Sequence, residues 1–334
     1  MSEREITYVQ AINEALSEEM ARDPGVFIMG EDVASPTGKG RGVRGENTGL
    51  PERFGFERVR NTPISESAMV GAALGSALTG MRPVVELMFV DLAGVCMDQI
   101  VNQVAKVRYM FGGKARAPLV IRAPSGAGGG AGAHHSQSLE NWFVHTPGLV
   151  VVAPSSPYDV KGLLKASIRD DNPVLFVEHK ALYATRGRVP AEEYVLPLGV
   201  AGVKRPGGDV TVVATSRQVN NALAAAQMLK ETGVEMEVID PCTLKPLDLE
   251  TIVASVRRTH RCVVVNEGCR TGGYASELAA AIGEAAFDFL DAPIRRVAAV
   301  DVPIPANRRL EQEAIPQVGD IVTAVRATMG LPVI

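Results

Sequence analysis

Apolar runs of strand length alternate with longer segments of helical period from end to end of the chain. This is the rhythm of parallel sheets assembled from βαβ units. Thr7, followed three residues later by Gln10, predicts a capping box opening a helix that runs to about Ala21, where Asp23-Pro24-Gly25 stops it. Val26–Met29 is an unbroken apolar run and predicts a buried strand. Thr37–Gly49 holds five glycines, two arginines and a lysine and predicts a mobile loop. A helix over Ser67–Thr79 is rich in Ala and Gly, so something must pack close to it. Strands at Pro83–Phe89, Leu119–Ala123, Leu149–Ala153 and Val174–Glu178 follow, with a helix over Leu92–Val107 between the first two. Ser156-Pro157 has the form of an N-cap and first helical residue.

From about Thr185 to Gly208 no period is clear, and Pro190, Pro197 and Pro206 interrupt the chain. The expected organisation is therefore a first domain over 1–185, a linker over 186–208 and a smaller α/β domain over 209–334. The second domain is predicted to carry strands at Val210–Ala214, Glu235–Ile239, Cys262–Val265 and Ile294–Val300. Its helices fall at Gln218–Glu231, Leu249–Arg257 and Tyr274–Leu290. The fold class is α/β, with each domain a mostly parallel sheet flanked by helices.

Composition agrees with two such domains. The chain has 334 residues, 46% hydrophobic and 22% charged, which is enough for two sizeable cores. A net charge of −4 does not favour a nucleic-acid partner. No apolar run is long enough for a membrane span, and the N-terminus shows neither a signal peptide nor a transit peptide, so a cytoplasmic protein is expected. The four cysteines, Cys96, Cys242, Cys262 and Cys269, form no C-x-x-C pair and are expected to be free thiols.

Three features could carry chemistry. The loop Ser125-Gly-Ala-Gly-Gly-Gly-Ala-Gly132 invites a phosphate-binding reading, but no G-K-[ST] follows it, and a loop over a ligand or subunit contact fits better. His134 and His135 follow directly. Neighbouring side chains of an extended segment point opposite ways, which disfavours a shared metal, whereas a single loop histidine suits proton handling. Glu66 stands at the start of an apolar helix. On local pattern alone, an acid there is ordinarily a dipole partner or cap. Asp98 and Glu31 are also acids in apolar runs, where burial demands a raised pKa or a partner.

Seven segments change these weights because they occur in one order. They are GEDV at 30–33, NTPISES at 61–67, DQIVNQVAK at 98–106, RYMFGGK at 108–114, HSQS at 135–138, HTPGLVVVAPSSPYDVKGLL at 145–164 and RTGGY at 270–274. Together, over about residues 5 to 330, the chain resembles the β subunits of the first component of 2-oxo-acid dehydrogenase complexes, in their acetoin and pyruvate branches. The fold implied is a transketolase-like pyrimidine-binding domain followed by a transketolase C-terminal-like domain.

The resemblance gives Glu66 a role toward thiamin diphosphate. A carboxylate hydrogen-bonded to aminopyrimidine N1′ favours the imino tautomer that takes the C2 proton. His135, in HSQS, matches the family's active-site histidine and is expected to assist acyl transfer to a lipoyl arm. Ile64, Met88 and Leu92 would line the aminopyrimidine. Leu92 departs from relatives that place an aromatic ring there, which removes a stacking partner. Glu31 and Asp98 match acids of a proton relay. Leu119, Ser167, Ile168, Asp170 and Asn172 match a loop that holds a monovalent cation in some relatives, which makes K+ a candidate here.

An absence sharpens the picture. The diphosphate of this cofactor is held through Mg2+ by a G-D-G…N motif. The chain has no G-D-G, and Gly208-Asp209-Val210 is its nearest approach. An α subunit in an α2β2 heterotetramer is expected to supply that half, and a lipoyl-bearing dihydrolipoyl acyltransferase core is the expected acceptor. The rival readings are a branched-chain 2-oxo-acid substrate, a non-catalytic assembly subunit of the same fold, and a flavin- or nucleotide-binding protein.

Overall fold

The computed structural model describes residues 3–34 and 45–332. The glycine-rich segment expected as a loop at 37–49 lies outside the described residues up to position 44. The described chain forms two compact units. Residues up to Ser125 together with Trp142–Leu198 make the first, and Gly126–Asn141 with the chain from Gly199 onward make the second.

In the first unit, the strands β2 (Val26–Gly30), β3 (Val59–Asn61), β4 (Arg82–Glu86), β5 (Val120–Ser125), β6 (Val150–Val152) and β7 (Val174–His179) run parallel in the order β6-β7-β5-β4-β2-β3. Every residue of β2, β5 and β7 is buried. That is why β2 reads as a continuous apolar run rather than an alternating one, while β5 and β7 interrupt theirs with the buried Arg122 and Glu178. The expected capping box is present: Thr7 caps α1 (Tyr8–Arg22) with reciprocal bonds to Gln10. Ser156 accepts from Asp159 N at 3.1 Å and opens α6 (Pro157–Arg169).

Helices α1 and α6 are locked together by charge. Lys161, Lys165 and Arg169 recur every four residues on one stripe of α6. They meet Glu14 (3.0 Å from Lys161), Glu18 (2.7 Å from Lys161 and 2.5 Å from Lys165) and Glu19 (2.6 Å from Arg169) on α1. Both lysine side chains are fully buried, so the pairing is obligatory rather than decorative. Burial alone would raise the Glu18 carboxyl, but hydrogen bonds from the two lysines hold it below its ordinary value.

Three expectations are revised. Residues 186–208, expected as a linker, carry β8 (Arg186–Pro190), which pairs antiparallel with β1 (Glu3–Thr7), and β9 (Gly202–Arg205). The helix expected over Leu92–Val107 is instead a 3-10 turn at Val90–Gly94, a π-helix at Gln99–Val104 closed by Ala105 N to Ile100 O (3.0 Å), and the short α4 (Val107–Met110) after α2 (Leu50–Phe54) and α3 (Glu66–Leu78). Residues 126–141 belong with the second unit.

The second unit holds β9, β10 (Val210–Ala214), β11 (Met236–Asp240), β12 (Thr243–Lys245), β13 (Cys262–Cys269) and β14 (Arg295–Ala299). Its sheet runs β14-β13-β10-β11-β9, parallel except for β9 at one edge. Alternation sorts the two faces. Val210, Val212, Ala214, Met236, Val238, Val263 and Val265 pack with α7 (Arg217–Lys230) and α11 (Val318–Thr328). On the other face, Thr211 hydrogen-bonds Ser255 (2.6 Å) and Thr259 (2.7 Å) of α8 (Leu249–Thr259), which packs with α9 (Tyr274–Ala286). Among the described residues Cys96, Cys242 and Cys262 are buried and Cys269 is exposed, and none is joined in a disulfide. Among the described residues, no helix is long and apolar enough to cross a membrane.

The carboxyl end of the first sheet is held by charge. Arg122 of β5, fully buried, grips Glu178 of β7 with two bonds (2.6 and 2.9 Å) and Glu86 of β4 with one (2.7 Å). Tyr183 donates to Glu178 (2.8 Å), and Asn47 donates to Glu86 (3.1 Å). Burial pulls against the guanidinium's charge, but Glu178 and Glu86 keep it ionised. Burial pushes the Glu86 carboxyl up to about 8; Arg122 opposes the rise and Glu46 adds to it.

Two outcomes are expected. Arg122→Ala removes the shared partner of two buried acids and should lower unfolding stability by about 3–5 kcal/mol in urea titrations. Between the ordinary carboxyl value of 4.5 and about 8, folded Glu86 keeps a proton that the unfolded chain has released. Its stabilising contribution is therefore complete below that window and is lost as pH rises through it. Glu86→Gln should flatten the fall in unfolding free energy across the window, and equal slopes for the two proteins would contradict the assignment.

Candidate functional site

In an open parallel sheet, ligand sites form where the strands end at their carboxyl side. Glu31 directly follows β2. The chain after β3 runs through residues 62–65 into Glu66, the first residue of α3. Met88 and Leu92 follow β4. These three strands are neighbours, in the order β4-β2-β3. Thr62 N donates to Gly30 O (3.0 Å), and Asn61 Oδ1 accepts from Ala34 N (2.8 Å), which ties the two strand ends together. Gly30 is needed for the close approach of β2 and β4, because a side-chain carbon there would lie 2.7 Å from Glu86 O.

Glu66 is only 5% exposed, and among the described residues none donates a hydrogen bond to its carboxylate. The Ser65 hydroxyl turns away to Pro63 O (3.0 Å) and leaves the start of α3 without a side-chain cap. The amides at the positive end of the helix thus stand beside Glu66. Glu31 is also buried, and among the described residues its Oε1 has no hydrogen-bond partner. Burial first, then the charges of Glu66 and Asp32, raise its carboxyl above the ordinary value. Burial and then Glu66 push the Cys96 thiol up to about 12, so it stays protonated. Glu31, Glu66 and Cys96 therefore share one water-poor spot.

The remaining predicted residues fall in different settings. Met88 and Leu92 are half-buried, and Ile64 is 82% exposed. Asp98, expected in an apolar setting, is exposed and accepts from Asn102 (2.8 Å) and Gln99 (3.4 Å). Cys96 and Ile100 point inward, and a residue two positions from each must face the opposite way. Gly71 of α3 explains the small residues expected there: a side-chain carbon would lie 3.0 Å from Gln99 Oε1 on the π-helix.

Leu119, Ser167, Ile168, Asp170 and Asn172 lie around the end of α6 and the start of β5. Arg82 donates to the carbonyls of Ile168 (3.0 Å) and Asp170 (2.9 Å), so a fixed side-chain cation already serves two of these groups. Leu119 O accepts from Val174 N (3.0 Å), and Asn172 donates to Asp170 (2.8 Å).

His135 belongs to the second unit. It is half-buried, and its amide donates to Gly132 O (3.2 Å); His134 is exposed. Gly208-Asp209 is a structural turn, with Asp209 accepting from Glu235 N at 2.7 Å. Two features were invisible in the sequence. Cys96 beside Glu66 showed only as one more apolar residue. The acids Glu267 and Glu311, which hold the glycine loop, lie far from it along the chain.

Two family descriptions match: "Transketolase, pyrimidine binding domain" over residues 4–186 and "Transketolase, C-terminal domain" over 199–321. The acetoin:2,6-dichlorophenolindophenol oxidoreductase subunit beta of Cupriavidus necator is 48% identical over 332 residues, covering 98% of each chain. The 2-oxoisovalerate dehydrogenase subunit beta of Bacillus subtilis is 46% identical over 299 residues, covering 89% of this chain and 90% of that one. The mitochondrial pyruvate dehydrogenase E1 component subunit beta-2 of Oryza sativa subsp. japonica is 44% identical over 327 residues, covering 97% of this chain and 86% of that one. The chain belongs to this family of dehydrogenase β subunits, built from a transketolase pyrimidine-binding domain and a transketolase C-terminal domain.

Proposed function

We propose that this chain is the β subunit of a thiamin-diphosphate-dependent dehydrogenase. It cleaves acetoin, or decarboxylates a 2-oxo acid such as pyruvate, and passes the acyl group to lipoamide. The observation that carries the reading is Glu66, a buried carboxylate at the carboxyl edge of a parallel sheet that receives no hydrogen bond from any described residue. A protonated ring nitrogen is the donor such an acceptor fits, and burial strengthens that bond. When bound, thiamin diphosphate supplies the carbon that bonds to the substrate carbonyl.

The chain's own residues then have distinct tasks. Glu66 holds the aminopyrimidine at N1′. Ile64, Met88 and Leu92 offer it apolar surface and exclude water. Glu31 stores a proton beside Glu66, and Asp98, exposed and turned away from Cys96, is left out of this relay. His135 handles a proton during acyl transfer to the lipoyl arm of a dihydrolipoyl acyltransferase core. Leu119, Ser167, Ile168, Asp170 and Asn172 would hold a monovalent cation such as K+ only by sharing the Ile168 and Asp170 carbonyls with Arg82. Gly208-Asp209 is occupied structurally, so Mg2+ and the diphosphate fall to an α subunit in an α2β2 assembly. The relatives named for acetoin and 2-oxoisovalerate stand at 48% and 46% identity, so overall likeness separates the substrates only weakly. Acetoin is taken first because that match spans 98% of both chains.

Dye reduction by this chain with its α partner, thiamin diphosphate and Mg2+ tests the reading. Acetoin, pyruvate and branched-chain 2-oxo acids are the substrates. Turnover of at least one is expected, and inactivity on all would leave a non-catalytic assembly subunit. Glu66→Ala should lower turnover by about a hundredfold or more while the assembly keeps its mass. A mutant of normal rate would refute the role given to Glu66.

A further inference from the structure

The glycine loop is not an open phosphate cradle. Gly126, Gly128, Gly130 and Gly132 all take positive φ (84°, 108°, 69° and 79°), a conformation that side chains resist. Left-handed residues at alternate positions curl the backbone so that amides two apart converge on one point, forming an anion nest. The anion at that point is the chain's own. Glu311 Oε1 accepts from Gly128 N (2.9 Å) and Gly130 N (3.2 Å), and Oε2 also lies 3.1 Å from Gly130 N.

Glu311 is 2% exposed on α10 (Arg308–Ala314), whose start is capped by Asn307. A second acid, Glu267, takes Ala127 N at 2.7 Å. The loop is also pressed against the approach to α10. A side-chain carbon on Gly130 would lie 3.1 Å from Ala306 O, and Ala127 packs with Ala314 and Ile315. The ends of the segment are closed by Gly126 N to Gln137 O (2.9 Å) and His135 N to Gly132 O (3.2 Å). His135 therefore follows a loop two of whose amides donate to Glu311.

We propose that Glu311 is the resident anion of this nest and the positioning residue for His135. The second half rests on the function proposed above. The role is positional: Glu311 fixes the backbone from which His135 reaches.

The test uses the full α/β complex, with hydrogen exchange read at the Gly128 and Gly130 amides. In Glu311→Ala these amides should exchange about ten- to a hundredfold faster, the factor expected when hydrogen bonds to a charged acceptor are lost. kcat should fall by about tenfold or more with thiamin-diphosphate affinity unchanged. Added formate, the carboxylate removed by the substitution, should restore both protection and turnover, whereas chloride at equal ionic strength should not. If Glu311→Ala fails to fold, Glu311→Gln decides, because it keeps the volume and loses the charge; intermediate exchange is expected. Wild-type exchange rates in the substituted complex, or lost protection that formate does not restore, would overturn the proposal. Formate-reversible protection with turnover that never changes would support the nest and overturn the positioning role given to Glu311, leaving the part given to His135 in the proposed function to a His135→Ala variant, whose normal turnover would refute that part.

Discussion

Arg122 places a full positive charge where there is no water to solvate it, and its two carboxylate partners sit on the strands to either side. Glu86, Arg122 and Glu178 thereby cross-link β4, β5 and β7 near the carboxyl edge from which the candidate site is built. Hydrophobic burial would hold the sheet together without this bridge, but it would not set where the strand ends lie relative to one another. A bidentate guanidinium grip does, because it tolerates little displacement. The loops after β2, β3 and β4, which carry Glu31, Glu66, Met88 and Leu92, start from that anchored edge.

The anchor also shapes the local electrostatics. Glu86 and Glu178 face one guanidinium, and burial, with Glu46 adding to it, raises the Glu86 carboxyl against the pull of Arg122. Arg122 neutralises its own neighbours and leaves Glu31 and Glu66 without a cationic partner among the described residues. That contrast separates structure from proposed chemistry within one sheet edge. Buried acids that are paired hold the fold together, whereas acids buried without donors are available to a ligand. The second unit uses the same logic differently. There the glycine loop's amides would attract an anion, and Glu311 meets the demand from within the chain.

Much of the architecture was legible because burial leaves a local signature. Val26–Gly30 and Val210–Ala214 are strands buried throughout, so an apolar run marks them directly. Thr7 with Gln10, and Ser156 with Pro157, announce helix starts through chemistry within four residues. The misses have equally physical causes. β8 and β9 are mostly exposed or half-buried edge strands between prolines, without an apolar run to betray them. The segment from Leu92 to Val107 keeps a helical apolar period, which does not distinguish an α-helix from a 3-10 turn followed by a π-helix. Asp98 was misplaced with it. Glu66 stood out only through the ordered motifs around it, and its partners Glu31 and Cys96 come from other strand ends. Pairings such as Gly128 with Glu311 join residues 183 apart, and no local pattern encodes them.

The central claim is that Glu66 acts on the cofactor itself rather than on the fold. The most direct measurement is the rate of proton exchange at C2 of thiamin diphosphate bound to the complex of this chain with its α partner, with and without Glu66→Gln. The amide keeps the size of the side chain and its packing at the start of α3 but is a far weaker acceptor. Exchange slowed by about a hundredfold or more at unchanged cofactor occupancy is the predicted result. Exchange at the wild-type rate would contradict the account.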